Sequence, residues 1–340
     1  MKRVNGLMPE IADMNNLELA FWKAKKGKEA KLEIRRFQID LQTNLLELRR
    51  QLLSDNIILG NYHFFRIYDP KERNICAADF SERVVHHAVM NVCAPYFEKH
   101  FIYDTYACRV AKGTHKALER AIIYQRKYRY FLKMDVRKYF DSIDHVRLKN
   151  SLRRIFKDKQ LLSFFDNLID SYTLSEDEGK GLPIGNLTSQ YLANFYLSFV
   201  DHYVKEKLLI GAYVRYMDDM VLWSNDKKDL MDKGKNLQYY MQEEFKLDLK
   251  QFYLQAANKG LPFLGFLIKN TKVELQQKTK KRFIGKYNLY MNRLIKGKLS
   301  QEEFVSHIRP IFNHISYAET NALRLKILQK REMAVGLEPC

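Results

Sequence analysis

One short stretch of this strongly basic chain, Tyr216-Met217-Asp218-Asp219, sets two carboxylates side by side. Adjacent carboxylates repel, and each disfavours ionisation of the other unless a cation compensates. Aspartate is also common in turns for backbone reasons, so the pair alone is more readily structural than catalytic. Its flanks change that balance. Ala212 and Val214 before it, and Val221 and Leu222 after it, read as two apolar strands joined by a very short turn. A rigid hairpin of this kind presents two acids to a divalent metal at fixed geometry. A third acid, Asp135, closes the apolar run Leu132-Lys133-Met134-Asp135-Val136, which reads as the end of a buried strand. Three carboxylates at the ends of central strands are what two-metal phosphoryl transfer needs. One ion lowers the pKa of an attacking hydroxyl and the other stabilises the leaving phosphate oxygens. Oxygen ligands and retained waters favour Mg²⁺ over Zn²⁺.

Those acids need elements to hold them. Residues 15–54 carry Leu41, Leu45, Leu48 and Leu52 at helical spacing and are expected to be helical. The basic turn Lys23 to Lys28 within them is either a solvated helix end or a phosphate contact. Tyr62 to Tyr68 reads as a strand, broken by Asp69-Pro70, and a helix follows from about Ser81 to Phe97. Another helix is expected over 114–127, opened by Thr114 after Gly113, and then a strand from Tyr130 to Val136. Asp144 is placed to cap a helix carrying Val146, Leu148, Leu152 and Ile155. Pro183 and Gly185 are expected to start a long helix through Tyr191, Phe195 and Phe199. Tyr213–Tyr216, Met220–Trp223 and Pro262–Ile268 read as strands.

The totals narrow the partners. Among 340 residues, 58 Lys and Arg against 40 Asp and Glu leave +18, an attraction for polyanions. Nucleic acid is the first partner this implies and an acidic membrane surface the second. Residues 271–340 hold 14 basic and 6 acidic residues and look like a separate, largely helical basic unit. Cys76, Cys93, Cys108 and Cys340 form no CxxC pair. With His86 and His87 they lack zinc-finger spacing, and reduced thiols are the simpler account. No apolar run approaches the ~20 residues that span a bilayer, and the N-terminus lacks a signal peptide's apolar core. The expectation is a cytoplasmic protein without a membrane partner.

Read in order, these stretches resemble a reverse transcriptase. Tyr216-Met217-Asp218-Asp219 is similar to the palm signature of that family, and KMDVRKYFDSIDH, with Phe140 five residues after Asp135, to its first palm motif. The resemblance implies an α+β right-hand polymerase with fingers, a palm built on an antiparallel sheet, and a helical thumb. Its divisions would be an N-terminal helical extension over 1–60, fingers and palm over 61–270, and a basic thumb over 271–340. It implies catalytic Asp135, Asp218 and Asp219, with Val136 joining them around two Mg²⁺ ions that Mn²⁺ can replace. The implied nucleotide site comprises Lys71 and Arg73 of the fingers, Phe140, Ile184, Gly185, Gln190, Tyr216, Met217 and Lys250. There Phe140 would exclude a 2′-hydroxyl, and Lys250 would either protonate the leaving pyrophosphate or be a solvated surface lysine. Gly260-Leu261-Pro262-Phe263-Leu264-Gly265-Phe266 resembles the primer grip. Lys278, Lys280, Lys281, Arg282 and Lys286 would contact nucleic acid from the thumb.

Within that family, GLPIGNLTSQ (181–190) is the informative segment. Intron and retroviral enzymes typically have Gln-Gly where this chain has Ile184-Gly185. The pattern Ile-Gly-x-x-x-Ser-Gln resembles the enzymes of diversity-generating retroelements. So do Tyr106-Ala107-Cys108-Arg109, Lys112 to Ala117, and the block from Asn16 to Lys28. This resemblance implies copying of a template repeat in a structured RNA into cDNA, with frequent errors opposite adenines. It also implies a small basic oligomeric accessory protein as a partner. The alternatives are a retron-like or defence-associated reverse transcriptase, and a catalytically idle relative that only binds nucleic acid. Clustered negative charge beside polyanions argues against the idle form.

Overall fold

The computed structural model describes residues 2–68, 72–172 and 179–327. The expectations placed on Asp69, Pro70, Lys71 and Cys340 lie outside the described residues. The chain opens with four helices, α1 (Met8–Ile11), α2 (Met14–Lys25), α3 (Leu32–Ile39) and α4 (Leu41–Leu53). Asp13 caps α2 by accepting from the amides of Asn15 and Asn16. The helical stretch expected over 15–54 is three helices. Gly27, in the left-handed region, lies in the basic turn expected over 23–28, and Asp40, outside helical geometry, separates α3 from α4.

A hairpin, β1 (Tyr62–Ile67) and β2 (Arg73–Ala78), leads into α5 (Phe80–His100), which is longer than the pattern suggested and carries Pro95 inside it. After α6 (Thr114–Lys127) comes β3 (Tyr130–Asp135), then α7 (His145–Leu152), capped by Asp144 as expected, and α8 (Lys159–Asp170). The next helix, α9 (Leu187–Tyr196), begins later than Pro183 and Gly185 suggested. Residues 181–186 instead form a loop that pairs with its neighbours, because Gly181 and Leu182 donate to the carbonyls of Ile143 and Phe140. α10 (Ser198–His202) completes this stretch.

Strands β4 (Tyr213–Tyr216) and β5 (Asp219–Ser224) are followed by α11 (Lys227–Phe245) and β6 (Tyr253–Ala256). The single strand expected over 262–268 is two, β7 (Leu261–Phe263) and β8 (Phe266–Ile268). They turn at Leu264-Gly265 and are joined by β9 (Val273–Leu275). Two helices, α12 (Gln277–Ile295) and α13 (Gln301–Ile315), and a further helical segment over 321–327 end the described chain. Ser300 and Glu303 form a reciprocal capping box on α13.

The fold is α+β with antiparallel sheets. The central sheet has the order β4-β5-β3-β6, and both of its faces are covered. Side chains alternate across a strand. Leu132, Met134, Tyr213, Met220 and Leu222 therefore face the core built with α5, α9 and α11, whereas Phe131, Val214, Val221 and Trp223 face α6 and the β7–β8 strands. Burial on both faces pins the register, since a one-residue slip would reverse every side chain. Phe283, Tyr287 and Met291 of α12 pack on Phe304 and Ile308 of α13 in a separate small core. Among the described residues no helix is long and apolar enough to cross a membrane.

Candidate active site

Sheet register brings the three acids together. Asp135, at the end of β3, pairs directly with Asp219, at the start of β5, while Met217 and Asp218 form the turn between β4 and β5. Met217 takes a left-handed φ of 55°, a conformation that costs a non-glycine residue energy and that its surroundings must enforce. Val136 is buried and its side chain has no donor atom, so it could serve an ion through its backbone carbonyl alone.

Two lysines set the electrostatics. Lys250 places Nζ 2.6 Å from Asp135 Oδ1, and its amide donates to the Asp135 carbonyl at 2.8 Å. Lys133 places Nζ 3.1 Å from Asp219 Oδ2 and also donates to the Pro262 carbonyl. Burial pushes Asp219 up to about 6; Lys133 opposes the shift, and Asp135 and Asp218 add to it. Asp218 is also raised, by burial and then by Asp135, with Lys250 and Arg73 opposing. Arg73 of β2 is exposed, and its charge is among those that oppose the shift of Asp218. Among the described residues no three acidic, His or Cys side chains converge closely enough to hold an ion as they stand. Lys250 and Lys133 each hold one of the carboxylates in an ion pair. The donor set nevertheless fits a hard divalent cation: the ligands are oxygens, and buried Asp219 Oδ1 has no hydrogen-bond partner.

The walls of the site follow from backbone pairing. Leu182 donates to the Phe140 carbonyl at 2.9 Å, which joins the half-buried Phe140 to the loop that carries Ile184. The Ile184 carbonyl accepts from Cys76 of β2 at 2.8 Å, so this loop is stitched to the β1–β2 hairpin. A Cβ on Gly185 would stand 2.7 Å from the Cys76 carbonyl oxygen, and φ there is 130°. Only glycine fits without displacement. Gln190 is exposed on α9 and accepts from the Cys108 thiol at 3.3 Å. Tyr216 is half-buried at the end of β4. Lys278, Lys280, Lys281 and Arg282 are exposed on α12, and Lys286 is half-buried there, while Thr279 and Phe283 face inward.

Sequence reasoning passed over the group beneath the hairpin. Arg215 is fully buried, with Nε 2.7 Å from Asp201 Oδ1 and Nη2 2.6 Å from Asp201 Oδ2. Its Nη1 donates to Asn194 Oδ1 and, at 3.0 Å, to the Met217 carbonyl. Burial alone would lower the guanidinium's pKa, but Asp201 more than offsets this. The signal was present, since Arg215 interrupts an otherwise apolar strand and Asp201 an apolar helical segment. Lys133 was equally visible, as the one basic residue inside a strand read as buried.

Paired aspartates in a hairpin, a third on the adjacent strand and a glycine loop stitched to a β-hairpin define a polymerase palm. The fold is similar to that of apo telomerase from Candida tropicalis, with a TM-score of 0.50 and 13% identity over 81% of this chain and 62% of that one. Residues 69–268, more than half of the chain, match the family model "Reverse transcriptase (RNA-dependent DNA polymerase)". The chain belongs to the reverse transcriptase family. Protein YkfC of Escherichia coli K12 is 24% identical over 53% of this chain and 51% of its own length. Retron Ec73 reverse transcriptase of Escherichia coli is 25% identical over 57% of this chain and 63% of its own. The chain thus spans about half the length of the first relative and under two thirds of the second.

Proposed function

We propose that this protein is an RNA-directed DNA polymerase that extends a primer on a structured RNA template with deoxynucleoside triphosphates. The direct pairing of Asp135 with Asp219, beside Asp218 in the turn, carries this reading. Asp135, Asp218, Asp219 and the Val136 carbonyl would hold two Mg²⁺, or Mn²⁺ in their place. Bound there, the ions supply the Lewis acidity that activates the primer hydroxyl and stabilises the pyrophosphate oxygens. Arg73, with Lys71, grips the triphosphate, and Phe140 closes the sugar pocket to a 2′-hydroxyl. Lys250 holds Asp135 and is the candidate proton donor to pyrophosphate. Residues 1–60 serve as an N-terminal extension, 61–270 as fingers and palm, and 271–340 as a thumb whose exposed lysines track the nucleic-acid backbone. The reaction takes place in the cytoplasm. The test is Mg²⁺-dependent dNTP incorporation on a primed RNA, which Asp218→Asn should abolish. Equal incorporation by that variant removes the mechanism.

The finer reading is an error-prone enzyme of a diversity-generating retroelement, assisted by a small basic oligomeric partner. It is supported by the Ile184-Gly185 loop and the Ser189-Gln190 pair that follows it. Glutamine at 184 would offer a seated nucleotide a hydrogen bond worth about 1 kcal/mol net; isoleucine offers none. Correct and incorrect pairs then differ less in transition-state energy. Ile184→Gln should lower the error frequency opposite template adenines, read by sequencing the cDNA, and an unchanged frequency refutes this account. The similarity to the Retron Ec73 enzyme favours a second reading, a retron-like polymerase. In that case the unmodified protein makes no excess of errors at adenines.

A further inference from the structure

The segment Lys112-Gly113-Thr114-His115 has no part in the chemistry above, yet it lies where three parts of the molecule meet. The Gly113 amide donates to the Tyr106 carbonyl at 2.9 Å, and the Tyr106 amide to the Arg215 carbonyl at 3.0 Å. The segment therefore borders β4 one residue before Tyr216. Thr114 is the first residue of α6. Gly113 gives this helix no side-chain cap, and the Thr114 hydroxyl is committed elsewhere, donating to the Tyr216 hydroxyl at 3.2 Å. The next residue, His115, lies flat on Tyr317, with ring centroids 4.7 Å apart and planes 13° apart. Burial, and then Glu119 one turn along α6, raise the pKa of the same tyrosine. Tyr317 lies two residues past the end of α13 and also meets Phe266 of β8 edge-on, and the Glu319 amide fastens this stretch to the Val273 carbonyl.

We infer that Thr114 and His115 form a positioning link between the α12–α13 unit and the catalytic hairpin. His115 registers how that unit is seated, through Tyr317, and Thr114 passes this seating to Tyr216 and so to the turn that holds Asp218. The two residues are consecutive on one helix, so a shift of Tyr317 that tilts α6 moves the Thr114 hydroxyl with it. Tyr216 projects from β4 on the face opposite to Arg215, so the hairpin is held from both sides of the sheet. In its kinetic consequence the link rests on the polymerase reading; in its geometry it does not.

Two measurements test it. In single-nucleotide primer extension, Thr114→Val should lower kcat about fivefold, the equivalent of one hydrogen bond in the reacting complex. Tyr216→Phe should do the same, the double variant should fall no further, and Thr114→Ser should restore the rate. His115→Ala should lower kcat in the unmodified protein and add nothing in the Thr114→Val background. Independent effects that multiply to about 25-fold in the Thr114→Val/Tyr216→Phe protein overturn the link. So does an unchanged rate for Thr114→Val. The second measurement needs no catalysis: thermal unfolding of the same three variants should show the double no less stable than the worse single. Additive losses of Tm overturn the link. If the unmodified protein incorporates no nucleotide, the polymerase reading fails while the unfolding cycle still decides the link.

Discussion

The buried pair Arg215–Asp201 offers a way to separate what holds the fold from what holds the site. Asp201 accepts from Arg215 twice, from the Tyr213 hydroxyl at 2.8 Å and from the Thr105 hydroxyl at 2.9 Å, and both charged side chains are fully buried. Asp201→Leu leaves the guanidinium without a counter-charge in a site that water does not reach. Breaking a buried ion pair from one side costs about 3–5 kcal/mol, a large part of the ~5–15 kcal/mol that stabilises a domain. Arg215→Met should cost a comparable amount by stranding Asp201, tempered because Tyr213 and Thr105 still donate to it. The double variant, Arg215→Met with Asp201→Leu, replaces the pair by apolar volume and should recover most of that stability, since such replacements are often neutral. Activity should not recover with it. Arg215 Nη1 holds the Met217 carbonyl, and a charged hydrogen bond of about 1.5–3 kcal/mol corresponds to a roughly tenfold to hundredfold loss of kcat if it is needed only to shape the turn. Urea unfolding measures the first quantity and dNTP incorporation the second. A double variant that stays as unstable as the singles, or one that regains full activity, would refute the reasoning.

Other perturbations have equally direct outcomes. Gly185→Ala should destabilise the protein by about 2 kcal/mol, because an alanine there is strained at φ 130° and collides with the Cys76 carbonyl. Hydrogen exchange should show the loss concentrated in β2, and uniform exchange along the chain would count against it. Burial, then the nearby charges of His86, Lys23, Lys28 and Arg83, lowers His87 to about 4. Below about pH 6.5 the unfolded chain takes up a proton that the folded one refuses, so stability should decline as pH falls from 6.5 towards 4. His87→Gln should flatten that decline in a Tm-against-pH series, and an unaltered slope would mean that other groups carry it.

The acids, the order of the stretches around them and the apolar strands that carry them could be read directly along the chain. Local chemistry sets these features: Asp144 caps α7 because its carboxylate reaches an amide three residues on, and β3 is a strand because its apolar run is bounded by polar turns. The short strands β6 and β9 escaped because so few residues carry a pattern, and their existence depends on what they pack against. α8 and α11 were passed over although each has a local signal, an aspartate N-cap at Asp158 and at Asp226 and, in α8, Leu161, Phe164, Phe165 and Leu168 on one face. The break at Leu264-Gly265 is invisible as a pattern because apolar residues continue through it.

The sequence by itself determined that Asp135, Asp218 and Asp219 would stand at strand ends, because the alternation and the turn that place them are properties of a few consecutive residues. Tertiary structure alone decided which residues oppose them. Lys133 reaches Asp219, Lys250 reaches Asp135 and Arg215 meets Asp201 through sheet register and helix packing between segments separated by 14 to 115 residues. Ile184 shows the same division. Its side chain and the glycine after it can be read along the chain, but only the fold reveals that its carbonyl accepts from the Cys76 amide of the β1–β2 hairpin. Side-chain type is local, whereas the partner of a buried charge or a loop carbonyl is whatever the folded chain brings within 3 Å.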